Sequence, residues 1–343
     1  MKNLKTEITK IHYDKNAKGI LFKILEFASI FYGAGSRFKN FLYDKKILKS
    51  QKVDALVISV GNITTGGVGK TPVVSEIAKY FISKGEKTAI ISRGYGGKLS
   101  NKKINVISNG NEIFYNADLS GDEPNWLAQN TNGAIVITSK NRIKAAQYAI
   151  TRFGVKTIIL DDGFQHRKLH RDLDIVLTDS EKGYGNEKLL PAGPLREGNE
   201  AFKRIDRLVV VSKNTDHTRA EKIAKITEKK LKIKTLVCRT EPDYVYNIKT
   251  GEILAEKSKA TAMSAIGQPE QFYKFLGNYE IIKTVTFDDH HNYKAEELPS
   301  GIILTTEKDA VKLKKFNRSN IYALKLKTTI DVGQLLESKL ITF

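Results

Sequence analysis

Hydrophobic and polar positions along this chain fall into two textures. In residues 20–32, Ile-Leu-Phe-Lys-Ile-Leu-Glu-Phe-Ala-Ser-Ile-Phe-Tyr, the polar members Lys23, Glu26 and Ser29, followed by Gly33, recur every three or four positions. That spacing predicts an α-helix with a narrow polar stripe and a broad apolar face. From residue 53 the texture changes to short, nearly continuous apolar runs at 55–60, 88–92, 134–138, 157–160, 175–178 and 208–212, with helix-like stretches such as 72–83 and 141–152 between them. Strands apolar on both faces and alternating with helices predict a parallel, doubly wound α/β sheet, with ligands at the carboxyl ends of its strands. After a Lys-rich helix at 219–232 come strands at 235–239, 244–248, 260–266, 281–287, 302–305 and 321–326, with shorter helices. The chain therefore divides into an N-terminal helical segment 1–52, an α/β core 53–235 and a smaller second α/β domain 236–343, with no internal repeat.

The 343 residues are 41% hydrophobic and 28% charged, with no Pro-, Gln- or Ser-rich tract, the composition of an ordinary folded chain. A balance of 57 Lys and Arg against 38 Asp and Glu leaves +19, which suits polyanionic partners: nucleic acid, an anionic bilayer or phosphorylated substrates. Residues 1–52 hold twelve Lys/Arg against four Asp/Glu, beside the apolar helix at 20–32. Such a helix can lie in a bilayer interface, with Lys18, Lys23, Arg37 and Lys39 on lipid phosphates. It can equally pack its apolar face on its own domain. No run of about eighteen apolar residues and no signal-peptide pattern is present, and the lone Cys238 forms no internal disulfide. These features predict a cytoplasmic protein with peripheral membrane contact. The charge is accompanied by no recognition-helix, zinc or aromatic RNA-binding signature, which argues against a nucleic-acid partner.

The strand at 55–60 runs into Gly61-Asn-Ile-Thr-Thr-Gly-Gly-Val-Gly-Lys-Thr-Pro72 and then into a helix. This is the setting of a phosphate-binding loop formed by Thr64, Thr65, Gly66, Gly67, Val68, Gly69, Lys70 and Thr71. The glycines let successive backbone N–H groups turn toward one anion, Lys70 reaches the terminal phosphates of ATP, and the Thr71 hydroxyl suits Mg2+. The general pattern has a glycine where this chain has Thr64.

A second nucleotide element should be a carboxylate at the end of a neighbouring strand. Lys156-Thr-Ile-Ile-Leu-Asp-Asp-Gly-Phe-Gln-His166 supplies Asp161 and Asp162, which can hold Mg2+ beside the phosphates or simply form a turn. In Ser120-Gly-Asp-Glu-Pro124, Asp122 and Glu123 suit the base and the magnesium ligand of a hydroxyl kinase, or Asp122 caps a helix. The loops Ser92-Arg-Gly-Tyr-Gly-Gly97 and Leu190-Pro-Ala-Gly-Pro-Leu-Arg-Glu197 present Arg93 and Arg196, which can neutralise or grip phosphate. His166 lies in a basic loop with Arg167, Lys168 and Arg171, and His290, beside Asp289, suits acid–base or orienting work.

Taken in order, these pieces, together with Asp172-Leu-Asp174, Ile266-Gly-Gln-Pro269 and Thr305-Thr-Glu-Lys-Asp309, resemble the tetraacyldisaccharide 4'-kinase family of lipid A synthesis, and the matching motifs cover almost the whole chain. The resemblance implies a P-loop kinase that transfers the γ-phosphate of ATP to the 4'-hydroxyl of a tetraacylated glucosamine disaccharide 1-phosphate, with Mg2+ as cofactor. It carries the catalytic aspartate onto Asp122, its supporting histidine onto His290 and the charge-stabilising arginine onto Arg196. Magnesium binding falls on Thr71, with Glu123, Asp161 and Asp162 as candidates; Asn62, Arg93, Gln165 and His166 are the substrate-binding candidates. It further implies that segment 1–52 docks on the anionic cytoplasmic face of the inner membrane. A membrane-associated P-loop ATPase of the partition type shares Gly-Gly-x-Gly-Lys-Thr, but places a lysine where this chain has Thr65. That alternative predicts ATP hydrolysis without a phosphorylated acceptor.

Overall fold

A computed structural model describes residues 2–337 apart from Asn101, Thr215, Gln268 and His290. Two helices, α1 (Lys2–Tyr13) and α2 (Ile20–Asp44), precede an alternating series: β1 (Leu56–Asn62), α3 (Lys70–Ser83), β2 (Thr88–Ser92), β3 (Asn105–Asn109), α4 (Ala117–Ser120), α5 (Asp122–Asn130), β4 (Ile135–Thr138), α6 (Arg142–Phe153), β5 (Thr157–Asp161), β6 (Leu173–Asp179), β7 (Arg207–Ser212) and α7 (Thr218–Leu231). The remainder comprises β8 (Lys234–Asn247), β9 (Lys259–Ser264), α8 (Pro269–Lys274), β10 (Glu280–Thr286), β11 (Ile303–Thr306), α9 (Glu307–Leu313), β12 (Ile321–Thr329) and α10 (Val332–Leu336).

All the strands join one twelve-stranded sheet in the order β10-β9-β11-β12-β8-β7-β6-β1-β5-β2-β4-β3. Pairing is parallel except for β3 on β4 and β12 on β8. β1 lies between β5 and β6, so its carboxyl end opens where the neighbouring strands also end. Val73, Val74, Ile77, Ala78 and Phe81 of α3 are buried against this centre, which explains why the helix following the glycine loop is apolar on one side.

The sheet crosses residue 235 without interruption. β8 pairs in parallel with β7 through Arg239 and then antiparallel with β12 through Asn247. The two strands read at 235–239 and 244–248 are thus one. Its midpoint carries Pro242, opposite Leu326 at a register shift, the kind of irregularity at which a residue without an N–H is tolerated in a sheet. Apolar residues from 245–326 form two clusters of their own, whereas Val332, Leu335 and Leu336 of α10 return to the core around α3.

Helix α2 continues twelve residues beyond the predicted 20–32, through Gly33 and Gly35. Gly33 packs closely on the 189–195 loop, where an added Cβ would lie 2.8 Å from Leu189 Cδ1 and displace that side chain. Its outer face is unpartnered: Ile20 is 81% exposed, Phe27 65%, Phe31 66% and Phe38 63%. Among the described residues no helix is long and apolar enough to cross a membrane.

Candidate active site

The strand-to-helix turn after β1 is fixed by close approaches. A Cβ on Gly61 would sit 2.5 Å from Phe164 Cβ, so only glycine lets β1 pass the Asp162–Phe164 turn. Gly66 and Gly69 take φ of +103° and +92°, and Gly69 caps α3. Thr64 is buried and bridges Leu195 in strand fashion, while Thr65 N–H donates to Pro194 O at 2.7 Å and Arg196 N–H donates to Ile63 O at 2.7 Å. The missing first glycine is therefore explained: this position is extended and paired, a conformation that suits a β-branched residue.

These contacts bring Arg196 to the loop. Its Nη1 donates to both carboxylate oxygens of Asp162 at 2.9 Å and to Gln165 Oε1 at 3.3 Å. Gln165 Nε2 donates to Asn62 O at 3.0 Å, Lys70 Nζ donates to Asn62 Oδ1 at 3.2 Å, and Lys70 Nζ stands 3.5 Å from Asp162 Oδ1. Asn62, Lys70, Asp162, Gln165 and Arg196 form one network at the mouth of the loop.

The two adjacent aspartates are driven apart electrostatically. Burial, reinforced by Glu123, raises the Asp161 carboxyl to about 7 against the pull of Lys70 and Arg142, and its Oδ1 is buried with no hydrogen-bond partner among the described residues. Burial acts in the same direction on Asp162, but Lys70 and Arg196 outweigh it and hold that carboxyl below its ordinary range. His166 also lines the cavity; burial, with Arg142, Arg171, Lys39 and Lys168 around it, lowers its imidazole to about 4 and keeps it neutral.

Asp122 opens α5. Gly121, at φ +92°, occupies the cap position, and a Cβ there would meet Tyr95 O at 2.5 Å. Asp122 is thus a first-turn residue, favoured by the helix dipole, and not the helix cap of the simpler reading. Its carboxylate, 4% exposed, lies 2.8 Å from Lys312 Nζ of α9, and Lys312 also donates to His291 O at 3.0 Å. From the same distal half, Lys308 Nζ sits 3.3 Å from Asp289 Oδ1. Burial alone would lower the Lys308 ammonium, yet Asp289, Glu123 and Asp122 together raise it, so acids from both halves converge on one lysine. His290 lies outside the described residues.

One open cavity of about 1550 Å3 lies here, with Glu123, Asp289 and Lys308 in its lining and the buried Asp122 and Lys312 behind its surface. Lys70, Thr71, Arg93, Glu123, Asp161 and Asp162 line one wall, and Gly267, Phe272, Asp289, Lys308 and Leu326 line the other. Helix α2 supplies its rim: Tyr32 OH donates to Arg196 O at 3.0 Å and Lys39 Nζ donates to Gln165 O at 3.2 Å.

Four lysines and arginines of this region escaped the sequence reading. Arg142, buried at the start of α6, donates to Asp161 O at 3.3 Å; Lys312 partners Asp122; Lys308 partners Asp289; Lys213 follows β7 directly and touches the phosphate loop. Lys213 was within reach, because a residue at the carboxyl end of a strand in a parallel sheet belongs to the ligand side. Lys312 carried no such signal, and Lys308 stood out only as a member of Thr305-Thr-Glu-Lys-Asp309.

A central parallel strand feeding a glycine loop, a lysine at the following helix and a carboxylate pair ending the next strand define a P-loop phosphotransferase. Comparison with known proteins narrows the class. The model of the family described as Tetraacyldisaccharide-1-P 4'-kinase matches residues 21–342, and the chain belongs to that family. Proteins named tetraacyldisaccharide 4'-kinase from Halothermothrix orenii and Syntrophus aciditrophicus are 34% and 37% identical, covering 93% and 84% of this chain and 92% and 84% of their own lengths. One from Ruthia magnifica is 36% identical over 95% of this chain and 99% of its own. A crystal structure of LpxK from Aquifex aeolicus in complex with ATP matches with a TM-score of 0.76 at 32% identity, covering 94% of this chain and 98% of that one.

Proposed function

We propose that this chain transfers the γ-phosphate of ATP to the 4'-hydroxyl of a tetraacylated glucosamine disaccharide 1-phosphate, giving lipid IVA. The observation that carries the reading is the shared cavity, which the Lys70–Asp162–Arg196 network and Glu123 line on one wall, with Asp122 next to Glu123 in the chain, and Asp289 on the other. The division of labour follows from charge. The phosphate loop and Lys70 hold the β- and γ-phosphates, and Arg196, fixed by Asp162, is placed to neutralise charge that develops on the transferred group. Asp122 accepts the proton of the 4'-hydroxyl as its oxygen bonds to γ-phosphorus and the bond to the ADP oxygen breaks. His290 supports Asp122 in this proton transfer.

Thr71, Glu123, Asp161 and Asp162 are hard oxygen donors that fit Mg2+, and the buried, unpartnered Asp161 Oδ1 beside two further carboxylates is the feature that such an ion would satisfy. When bound there, Mg2+ supplies positive charge to the β- and γ-phosphate oxygens. Arg93, Gln165 and His166, which line the cavity, contact the acceptor, and Asn62, the fourth candidate, is fully buried and acts through Gln165 and Lys70. Residues 53–235 and 236–343 serve as two walls that close around both substrates.

The exposed apolar face of α2 fits an acylated substrate: Phe27, Phe31 and Phe38 enter the anionic cytoplasmic face of the inner membrane while Tyr32 and Lys39 hold the site's loops on the opposite side.

The assignment is tested with purified protein and Mg-ATP. Asp122→Ala should cut turnover by a factor of about 100 to 10,000 with ATP binding retained, whereas Lys70→Ala should weaken nucleotide binding itself. Normal turnover in Asp122→Ala would remove it as the base.

A further inference from the structure

Gly66 and Gly67 give the phosphate loop freedom that a cradle should not have. A Cβ built on Gly67 meets nothing within 4 Å, so packing does not fix this peptide, and glycine has little conformational preference of its own. A trans peptide holds its C=O and N–H on opposite sides. Whichever group binds the Gly67 carbonyl therefore decides where the Val68 N–H points.

That group is Lys213. Its Nζ donates to Gly67 O at 2.8 Å and to Asp179 Oδ2 at 3.1 Å. Asp179 ends β6 and is 3% exposed; its Oδ1 accepts the N–H groups of Glu181 and Lys182 at 2.9 and 3.2 Å, which pins the carboxylate in its own turn. β6 pairs in parallel with β1, and β7 with β6, so the carboxyl ends that carry Asp179 and Lys213 lie beside the loop. A second contact acts two peptides earlier, where Tyr13 OH donates to Thr65 O at 3.4 Å. Neither Lys213 nor Asp179 belongs to the glycine-loop motif.

We propose that Lys213, held by Asp179, is a positioning residue for phosphate binding: it draws the Gly67 carbonyl away from the anion and so aims the Val68 N–H at it. The inference rests on the loop binding the phosphates of ATP. Burial lowers the Lys213 ammonium, and Asp179 opposes that shift.

The test is calorimetric titration of the full chain with ADP and with AMP, alongside steady-state kinetics. ADP binding by the unaltered protein checks the nucleotide reading, and the variants then judge the brace. Loss of a hydrogen bond from a charged donor predicts that Lys213→Met weakens ADP binding about ten- to hundredfold, with AMP binding unchanged. KM for ATP should rise while KM for the lipid holds, and Lys213→Arg, which keeps a donor, should recover part of the loss. Should Lys213→Met fail to fold, Asp179→Asn decides with the same ADP-to-AMP split at smaller size. Equal loss for ADP and AMP, or unaltered ADP binding in a folded variant, overturns the proposal.

Discussion

The ion pair between Asp122 and Lys312 joins α5 to α9, and thus the two walls of the cavity, which makes it the most informative single contact to break. Both side chains are 6% exposed and 2.8 Å apart. At an effective dielectric constant of about 20 the gross attraction is roughly 6 kcal/mol, most of it offset by the desolvation of both ions. Removing one partner exposes part of that desolvation cost: Lys312→Met takes the cation at 2.8 Å from the buried Asp122 carboxylate, a loss of about 3–5 kcal/mol. The melting temperature should fall by roughly 5–15 °C. The double variant Asp122→Asn/Lys312→Met buries no charge and should melt above Lys312→Met alone. Thermal melts of the wild type, both single variants and the double variant form a cycle whose coupling energy isolates the pair. If Lys312→Met melts with the wild type, or if Asp122→Asn adds its full cost on top of Lys312→Met, the pair does not hold the walls together.

Further outcomes follow from the same geometry. Because the Asp161 carboxyl is raised to about 7 from 3.8, the folded state binds its proton more tightly than the unfolded chain. Its contribution to stability is full below about pH 4 and is lost as pH rises through about 7. Asp161→Asn should flatten that part of the profile in urea melts between about pH 4 and 8, and an unchanged slope would contradict the assignment. Phe27→Glu/Phe31→Glu should reduce binding to anionic vesicles on the order of a hundredfold or more, while phosphorylation of a detergent-dispersed acceptor continues; undiminished vesicle binding would remove α2 as the docking face. Arg196→Met should lower kcat and release Asp162 from its bidentate partner, visible as a shifted carboxylate resonance in NMR, and an unshifted resonance would count against the contact.

Much of the central sheet was legible because its strands are buried on both faces and read as uninterrupted apolar runs, as at 88–92 and 157–160. β3, Asn105–Asn109, was hidden because an edge strand with asparagine at both ends carries little apolar signal. β8 read as two strands because Pro242 looks like a terminator until β12 is seen to slip its register there. The glycine loop and the paired aspartates stood out because their chemistry is local: each is a few consecutive residues at a strand end. Thr64 looked anomalous only until its bridge to Leu195, 131 positions away, gave it an extended partner. Lys312 was invisible as a site residue for the same reason, since it acts on Asp122, far away in the chain, and one lysine among many bears no mark of its partner.

The account stands most directly on one product. Incubated with Mg-ATP and a tetraacylated glucosamine disaccharide 1-phosphate, the purified chain should convert the lipid, by mass spectrometry, to a species carrying one additional phosphoryl group on the 4'-oxygen. ATP consumed with the lipid mass unchanged would contradict it.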